Sequence, residues 1–312
     1  MVYFRSQREI SRILRRGLPI AAAILAVVTL AWPAALGGQA TPPSPAQAAN
    51  AAKPQGWAVR ASLNNPSAPL YNKAKQKLLD GGQINTFAID TRDPKKYCEV
   101  APHYDYIFLE MQHSTMSFAD IEAMIAACPR VGTPIIRVAD VLESTLQKAG
   151  DIGALGIIAP TVDTVEQAWA AAKYMRYPPE GRRSLGRNQA GSIWGVNGVN
   201  YRQTINDNML VVVQIETPVG VENAYDIARV PGVDALWASN GDLGNFTGLA
   251  NTSPAWHAMF TKIHDDTLRA GKFLAATSPA YGKTGPNGRP DGPDWRMFYV
   301  GGPSLDGYTP PR

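Results

Sequence analysis

The chain has 312 residues, 45% of them hydrophobic, enough for one large core or two modest ones. Its formal net charge of +4 and pI near 9.0 trace to the first sixteen residues, where five arginines face one acid, Glu9. Residues 51–312 carry 25 basic and 25 acidic side chains, so the body gives no charge argument for a nucleic acid or an anionic membrane as partner.

The basic start is followed by an uncharged, mostly apolar run, Gly17–Leu36, and then by small residues ending in Ala46-Gln47-Ala48. That order matches the n-region, h-region and Ala-x-Ala site of a secretory signal. Residues 1–48 are therefore expected to be removed and the protein exported, periplasmic or secreted. An uncleaved membrane anchor is the alternative, because the apolar run approaches the roughly 20 residues that span a bilayer. Residues 49–69, rich in Pro, Ala, Asn and Ser, read as a linker, which leaves 70–312 as the folded domain. The two cysteines, Cys98 and Cys128, stand in neither a Cys-x-x-Cys nor a zinc spacing. In an oxidising compartment they could pair; as two buried thiols they would be equally ordinary.

From residue 70 short apolar runs alternate with helical ones. Leu70–Leu79 is an amphipathic opening helix stopped by Gly81-Gly82. Strands are expected at Thr86–Asp90, Tyr106–Met111, Pro134–Ala139, Gly156–Thr161, Met209–Thr217, Ala235–Asn240, Phe273–Thr277 and Met297–Gly301. Helices are expected at Phe118–Ala127, Leu142–Ile152, Thr164–Arg176, Val221–Arg229 and Ala255–Ala270. Strands alternating with helices predict a parallel α/β fold. Eight such units point to a (β/α)₈ TIM barrel, whose active sites sit at the C-terminal ends of the strands. A doubly wound sheet is the runner-up, although no glycine-rich phosphate fingerprint follows any strand.

The polar residues at those ends carry the functional reading. The second strand delivers Glu110 and then His113, the third Arg137, the fifth Gln214 and Glu216, the sixth Asn240 and Asp242. In Val211-Val-Val-Gln-Ile-Glu216 the alternation puts Gln214 and Glu216 on one face. A carboxylate ending an apolar strand is costly to bury unless a charge meets it. Two acids at the ends of consecutive strands suggest one shared cation. Each residue also has a plainer reading: a strand-end Glu as a solvated loop acid, a lone His as a structural hydrogen-bonder, Arg137 as half of an ion pair. His103, His257 and His264 lie in helix or loop contexts and are read as structural.

Six segments together resemble a known family. Phe108-Leu-Glu-Met-Gln-His-Ser, Pro134-Ile-Ile-Arg-Val, Asp151-Ile-Gly-Ala-Leu-Gly-Ile-Ile-Ala-Pro160, Tyr177-Pro-Pro-Glu-Gly-Arg-Arg-Ser-Leu-Gly186, Val213-Gln-Ile-Glu-Thr217 and Gly241-Asp-Leu-Gly look like the HpcH/HpaI aldolases. These are metal-dependent pyruvate aldolases on a TIM barrel, and the motifs occur in family order from about residue 70 to 302. The resemblance implies Glu216 and Asp242 as metal ligands, and Gln214 and Arg137, with Asn240 beside them, at the bound oxo-acid. It implies His113 as the acid/base residue, with Glu110 where an aspartate usually pairs with it. The family's Gly-Glu-His is Met-Gln-His here, its Gly-Pro-x-Asp-Leu-Ser is Ser-Asn-Gly-Asp-Leu-Gly, and its Pro-Met after the fourth strand is Pro160-Thr161. Family members also build a hexamer through a helix past the eighth strand. Gly307-Tyr-Thr-Pro-Pro-Arg312 cannot seed such a helix, so homo-oligomerisation is expected to be weakened.

The residue types agree with this chemistry independently. Two carboxylates without Cys or His suit a hard cation, Mg²⁺ or Mn²⁺. The expected reaction cleaves or forms 4-hydroxy-2-oxo acids from pyruvate and an aldehyde, with Arg137 on the developing oxyanion and His113 taking the C3 proton. No lysine stands at these strand ends, which argues against a Schiff base. Two rivals stay open: a citrate-lyase-β-like acyl-CoA lyase, and a non-catalytic binder of metal and 2-oxo acid.

Overall fold

Eight short apolar runs become eight parallel strands: β1 Thr86–Ile89, β2 Tyr106–Glu110, β3 Pro134–Arg137, β4 Gly156–Ala159, β5 Leu210–Ile215, β6 Ala235–Ala238, β7 Phe273–Ala276 and β8 Trp295–Phe298. The computed structural model describes residues 53–186, 189–195, 201–284, 291–299 and 301–310, so the leader lies outside the described residues. The strands pair in chain order from β1 to β8. All but β1 and β8 are buried at every position, which is why they read as continuous apolar runs rather than as alternating ones.

Alternation reappears in what each residue packs against. Tyr106 and Phe108 of β2, Leu210 and Val212 of β5, Ala235 and Trp237 of β6 and Met297 of β8 share one interior cluster. Ile107, Leu109, Val211, Val213 and Leu236, each one residue out of step, pack with the surrounding helices. Of the expected TIM barrel the structure shows the eight-stranded parallel sheet, curled around its own interior with helices outside, but not strand-paired closure. β8 and β1 do not pair as strands. The two edges meet at an isolated parallel bridge, where the Ile84 amide donates to the Arg296 carbonyl (2.8 Å) and the Phe298 amide to the Ile84 carbonyl (3.2 Å).

Local sequence explains the helix starts. Ser117 with Asp120, and Thr164 with Gln167, form capping boxes for Phe118–Ala127 and Val165–Tyr174. The expected helix Val221–Arg229 is instead two, Pro218–Glu222 and Ala224–Arg229, broken at Asn223. β8 begins two residues before the expected Met297, just after the turn Gly292–Asp294.

The linker reading is corrected from residue 53 onward. Trp57–Ala61 is helical, with Val59 fully buried in the interior cluster. Gly56, at φ +77°, lies against the Phe273 ring so closely that an added Cβ would stand 2.2 Å from it. Asn64 and Asn65 donate backbone and side-chain N–H groups to the Asp207 carboxylate at 2.8–3.0 Å. This segment therefore belongs to the folded domain. Cys98 and Cys128 form a disulfide (Cα–Cα 5.7 Å) joining the helix Pro94–Val100 to the C-cap of Phe118–Ala127. No described helix is long and apolar enough to cross a membrane.

Candidate active site

Because all strands are parallel and adjacent ones are in register, their last inward residues line one end of the interior. The inner row of β5 runs Leu210, Val212, and then Gln214 and Glu216. Both polar residues are buried, at 1% and 3% exposure. Glu216 Oε1 accepts hydrogen bonds from the Thr161 amide (2.8 Å) and hydroxyl (2.7 Å), and Oε2 accepts from Gln214 Nε2 (2.8 Å). Gln214 Nε2 also reaches Ser239 Oγ (3.3 Å), which donates to Asp242 Oδ2 (3.0 Å). Asp242 lies in the first turn of the helix Asn240–Thr247, where the helix N-terminus favours an anion.

The two acids are therefore brought together. Burial pushes the Glu216 carboxyl above its ordinary range; the Thr161 donors oppose this, and the neighbouring Asp242 adds to it. Among the described residues no lysine or arginine pairs with either acid. Gln214 Oε1 is buried without a hydrogen-bond partner. A shared negative charge and an orphaned oxygen make a hard, all-oxygen donor set, which fits a divalent cation. No group of three or more His, Cys, Asp or Glu arranged for a metal occurs among the described residues. An ion here would take its remaining ligands from water and substrate.

A second arc is built by β2, β3 and β8. The register sets Glu110 beside Arg137, both facing inward and buried. Arg137 Nε donates to Glu110 Oε2 at 2.7 Å, and Nη2 donates to the same oxygen. Glu110 Oε1 accepts the amides of Gln112 (2.6 Å) and His113 (3.1 Å). Glu110 thus holds the backbone of the loop that carries His113, not its imidazole. The His113 side chain is exposed.

Asn240 bonds to neighbours outside both arcs. Its Oδ1 accepts from Thr277 Oγ1 (2.6 Å), and its Nδ2 donates to the Tyr281 hydroxyl (3.2 Å). Three contributors escaped the sequence reading. Thr161 holds Glu216 from a left-handed conformation, φ +48°, uncommon for a β-branched residue and sustained here by its two bonds to the carboxylate. Ser239 links Gln214 to Asp242. Tyr299 packs at a tilt against the Phe108 and Trp237 rings beside Arg137. The signals available were, for Thr161, its place just past β4 where the resembling family has methionine and, for Tyr299, its place just past β8.

Comparison with known proteins adds a family. A model described as HpcH/HpaI aldolase/citrate lyase matches residues 94–275. The 2-dehydro-3,6-dideoxy-6-sulfogluconate aldolase of Pseudomonas putida is 36% identical over 167 residues, 53% of this chain and 65% of that protein, just under two thirds of it. The 2-keto-3-deoxy-L-rhamnonate aldolase of Shigella sonnei (strain Ss046) is 30% identical over 219 residues, covering 67% of this chain and 81% of that one. Among solved structures, an HpcH/HpaI aldolase from Desulfitobacterium hafniense DCB-2 superposes with a TM-score of 0.62 at 24% identity, over 72% of this chain and 88% of that one. At that identity the likeness shows the fold.

Proposed function

The chain belongs to the HpcH/HpaI aldolase/citrate lyase family and is a carbon–carbon lyase, and on that premise we propose that it cleaves and forms 4-hydroxy-2-oxo acids, exchanging them with pyruvate and an aldehyde, with a divalent cation held by Glu216 and Asp242. The observation that carries this reading is the buried Glu216 drawn against Asp242 at adjacent strand ends, with no cationic side chain among the described residues to balance them. The relatives named above act on 2-keto-3-deoxy sugar acids, which supports a 2-oxo-acid substrate and leaves the aldehyde to be found. The curled sheet and its Ile84–Met297 bridge support a closed (β/α)₈ barrel with these strand ends as its mouth.

When bound, Mg²⁺ or Mn²⁺ would supply Lewis acidity toward the 2-oxo-acid carbonyl. The rest falls to the chain. Glu216, pinned by Thr161 and Gln214, and Asp242, pinned by Ser239, would hold the ion. Gln214 Oε1, on the same amide that binds Glu216 and Ser239, is a buried acceptor without a protein partner. Arg137, held by its ion pair with Glu110, stabilises negative charge developing on the keto oxygen. His113, exposed on its loop, takes the C3 proton in synthesis and returns it in cleavage. Glu110 sets where that loop sits by binding two of its amides.

Export belongs to the same proposal. The arginine-rich start, apolar run and Ala46-Gln47-Ala48 support a cleaved signal, and the Cys98–Cys128 disulfide is of the kind that persists in oxidising compartments. A pyruvate-release screen over several 4-hydroxy-2-oxo acids, with and without chelator, tests the activity. Chelator-sensitive release from at least one is expected; release from none would overturn it.

A further inference from the structure

Arg137 has an unusual hold. Both of its bonds to Glu110 end on one oxygen, Oε2, because Oε1 is committed to the amides of Gln112 and His113. A guanidinium fork that meets two carboxylate oxygens has its plane fixed; one that meets a single oxygen can still tilt about it. Something else must set the plane if the arginine is to meet a substrate oxygen reproducibly.

Two rings stand where that support is needed. Arg137 Cζ lies 5.4 Å from the centre of the Phe108 ring and 5.3 Å from that of Tyr299, both within cation–π range. Phe108 comes from the inner row of β2, on the same strand as Glu110. Tyr299 comes from the far edge of the sheet, the first residue past β8, its amide donating to the Ala276 carbonyl (3.3 Å). Its own ring is fixed by Phe108 (4.4 Å between centres) and Trp237 (4.7 Å). Half-buried, it reaches across the β8–β1 seam to a guanidinium held by β2 and β3.

We infer that Tyr299 is a positioning residue for Arg137, its ring fixing the tilt that the single-oxygen ion pair leaves open. This rests on the proposed function, in which Arg137 meets the keto oxygen. The ring supplies the face against which the guanidinium lies, and the phenol oxygen accepts a hydrogen bond from it. Small errors of orientation at a reacting oxygen are expensive, about 100-fold in rate for a displacement near 1 Å.

Full-length Tyr299→Phe and Tyr299→Met are compared with wild type; methionine keeps bulk but removes the ring. Calorimetry reads Mn²⁺ affinity and then oxalate affinity with Mn²⁺ present, oxalate being a planar mimic of the pyruvate enolate. Steady-state pyruvate release gives kcat and KM. Tyr299→Phe, which keeps the ring and loses only the hydroxyl's bond to Arg137, should fall between wild type and Tyr299→Met. Tyr299→Met should bind Mn²⁺ normally yet lose oxalate affinity and kcat together, by about 10- to 100-fold, with KM moving less. In an Arg137→Ala background the same change should cost no further oxalate affinity, whereas a merely structural role would add its full effect there. A wild type that binds oxalate beside an unchanged Tyr299→Met, or additive losses in the double variant, overturns the inference alone. A wild type that binds neither Mn²⁺ nor oxalate overturns the proposed function and this inference with it.

Discussion

Replacing Glu110 with alanine would leave Arg137 without its carboxylate while keeping it buried. Both side chains are 7% exposed, and the arginine spends Nε and Nη2 on that one partner. Removing one half of a buried ion pair typically costs about 3–5 kcal/mol, because the other charge stays desolvated. The Phe108 and Tyr299 rings return only part of this, since a cation–π contact is worth roughly 0.5–2 kcal/mol. The amides of Gln112 and His113 also lose their acceptor, which adds to the loss rather than offsetting it. At roughly 2–4 °C per kcal/mol for a domain of this size, Glu110→Ala should lower the melting temperature by about 6–20 °C. Thermal melts of Glu110→Ala, Arg137→Met and the double variant make the test a cycle. The double variant should melt above Glu110→Ala alone, because no stranded guanidinium remains. A Glu110→Ala protein that melts with wild type, or single effects that simply add, would refute the reasoning.

Three further outcomes are expected. Burial pulls the His264 imidazole down, but hydrogen bonds to Asp265 and Asp294 outweigh it and raise its pKa to about 9. A pKa raised on folding stabilises fully below the ordinary value near 6.5 and is lost as pH climbs through 9, so the melting temperature should fall across that window and His264→Gln should flatten the slope. Thr161→Val keeps the left-handed strain and loses a hydroxyl donor to Glu216, a bond worth roughly 1 kcal/mol, while Thr161→Gly loses the donor but relieves the strain; the valine variant should melt lower, and the reverse order would count against this account of Thr161. Exported protein isolated without reductant should begin near Ala49 and yield a Cys98–Cys128-linked peptide, and reduction should cost about 3–4 kcal/mol of stability for a crosslink of this span; an N-terminus at Met1, or free thiols, would argue against export.

Strand positions were largely legible because each strand is an apolar run bounded by turn or cap residues. β2, β3 and β5 each start at or within one residue of where the sequence placed them. The beginning of the folded domain was not legible. Asn64 and Asn65 look like loop composition, and only a partner 142–143 residues away, Asp207, makes them structural. The pairing of Gln214 and Glu216 on one face followed from alternation alone, as did their neighbourhood with the β6 end. Side-chain direction at the strand ends did not. Asn240 reads as a mouth residue yet bonds Thr277 and Tyr281, and Glu110 reads as the imidazole's partner yet gives its oxygens to Arg137 and two amides. Tyr299 was hidden for a different reason: an aromatic residue at the end of an apolar run reads as core, and its nearness to Arg137 depends on β8 curling round toward β2.

The central claim is that Glu216 and Asp242 hold one divalent ion, and calorimetric titration of Mn²⁺ into wild type, Glu216→Ala and Asp242→Ala, with a melt of each, tests it most directly. Wild type should bind a single ion, and either alanine variant should lose that binding while staying folded; the donors of Thr161, Gln214 or Ser239 that lose their acceptor should lower the melt modestly, because a like-charge contact is relieved and no cationic side chain is stranded. Full-strength binding of Mn²⁺ by Glu216→Ala, or none by wild type, would contradict it.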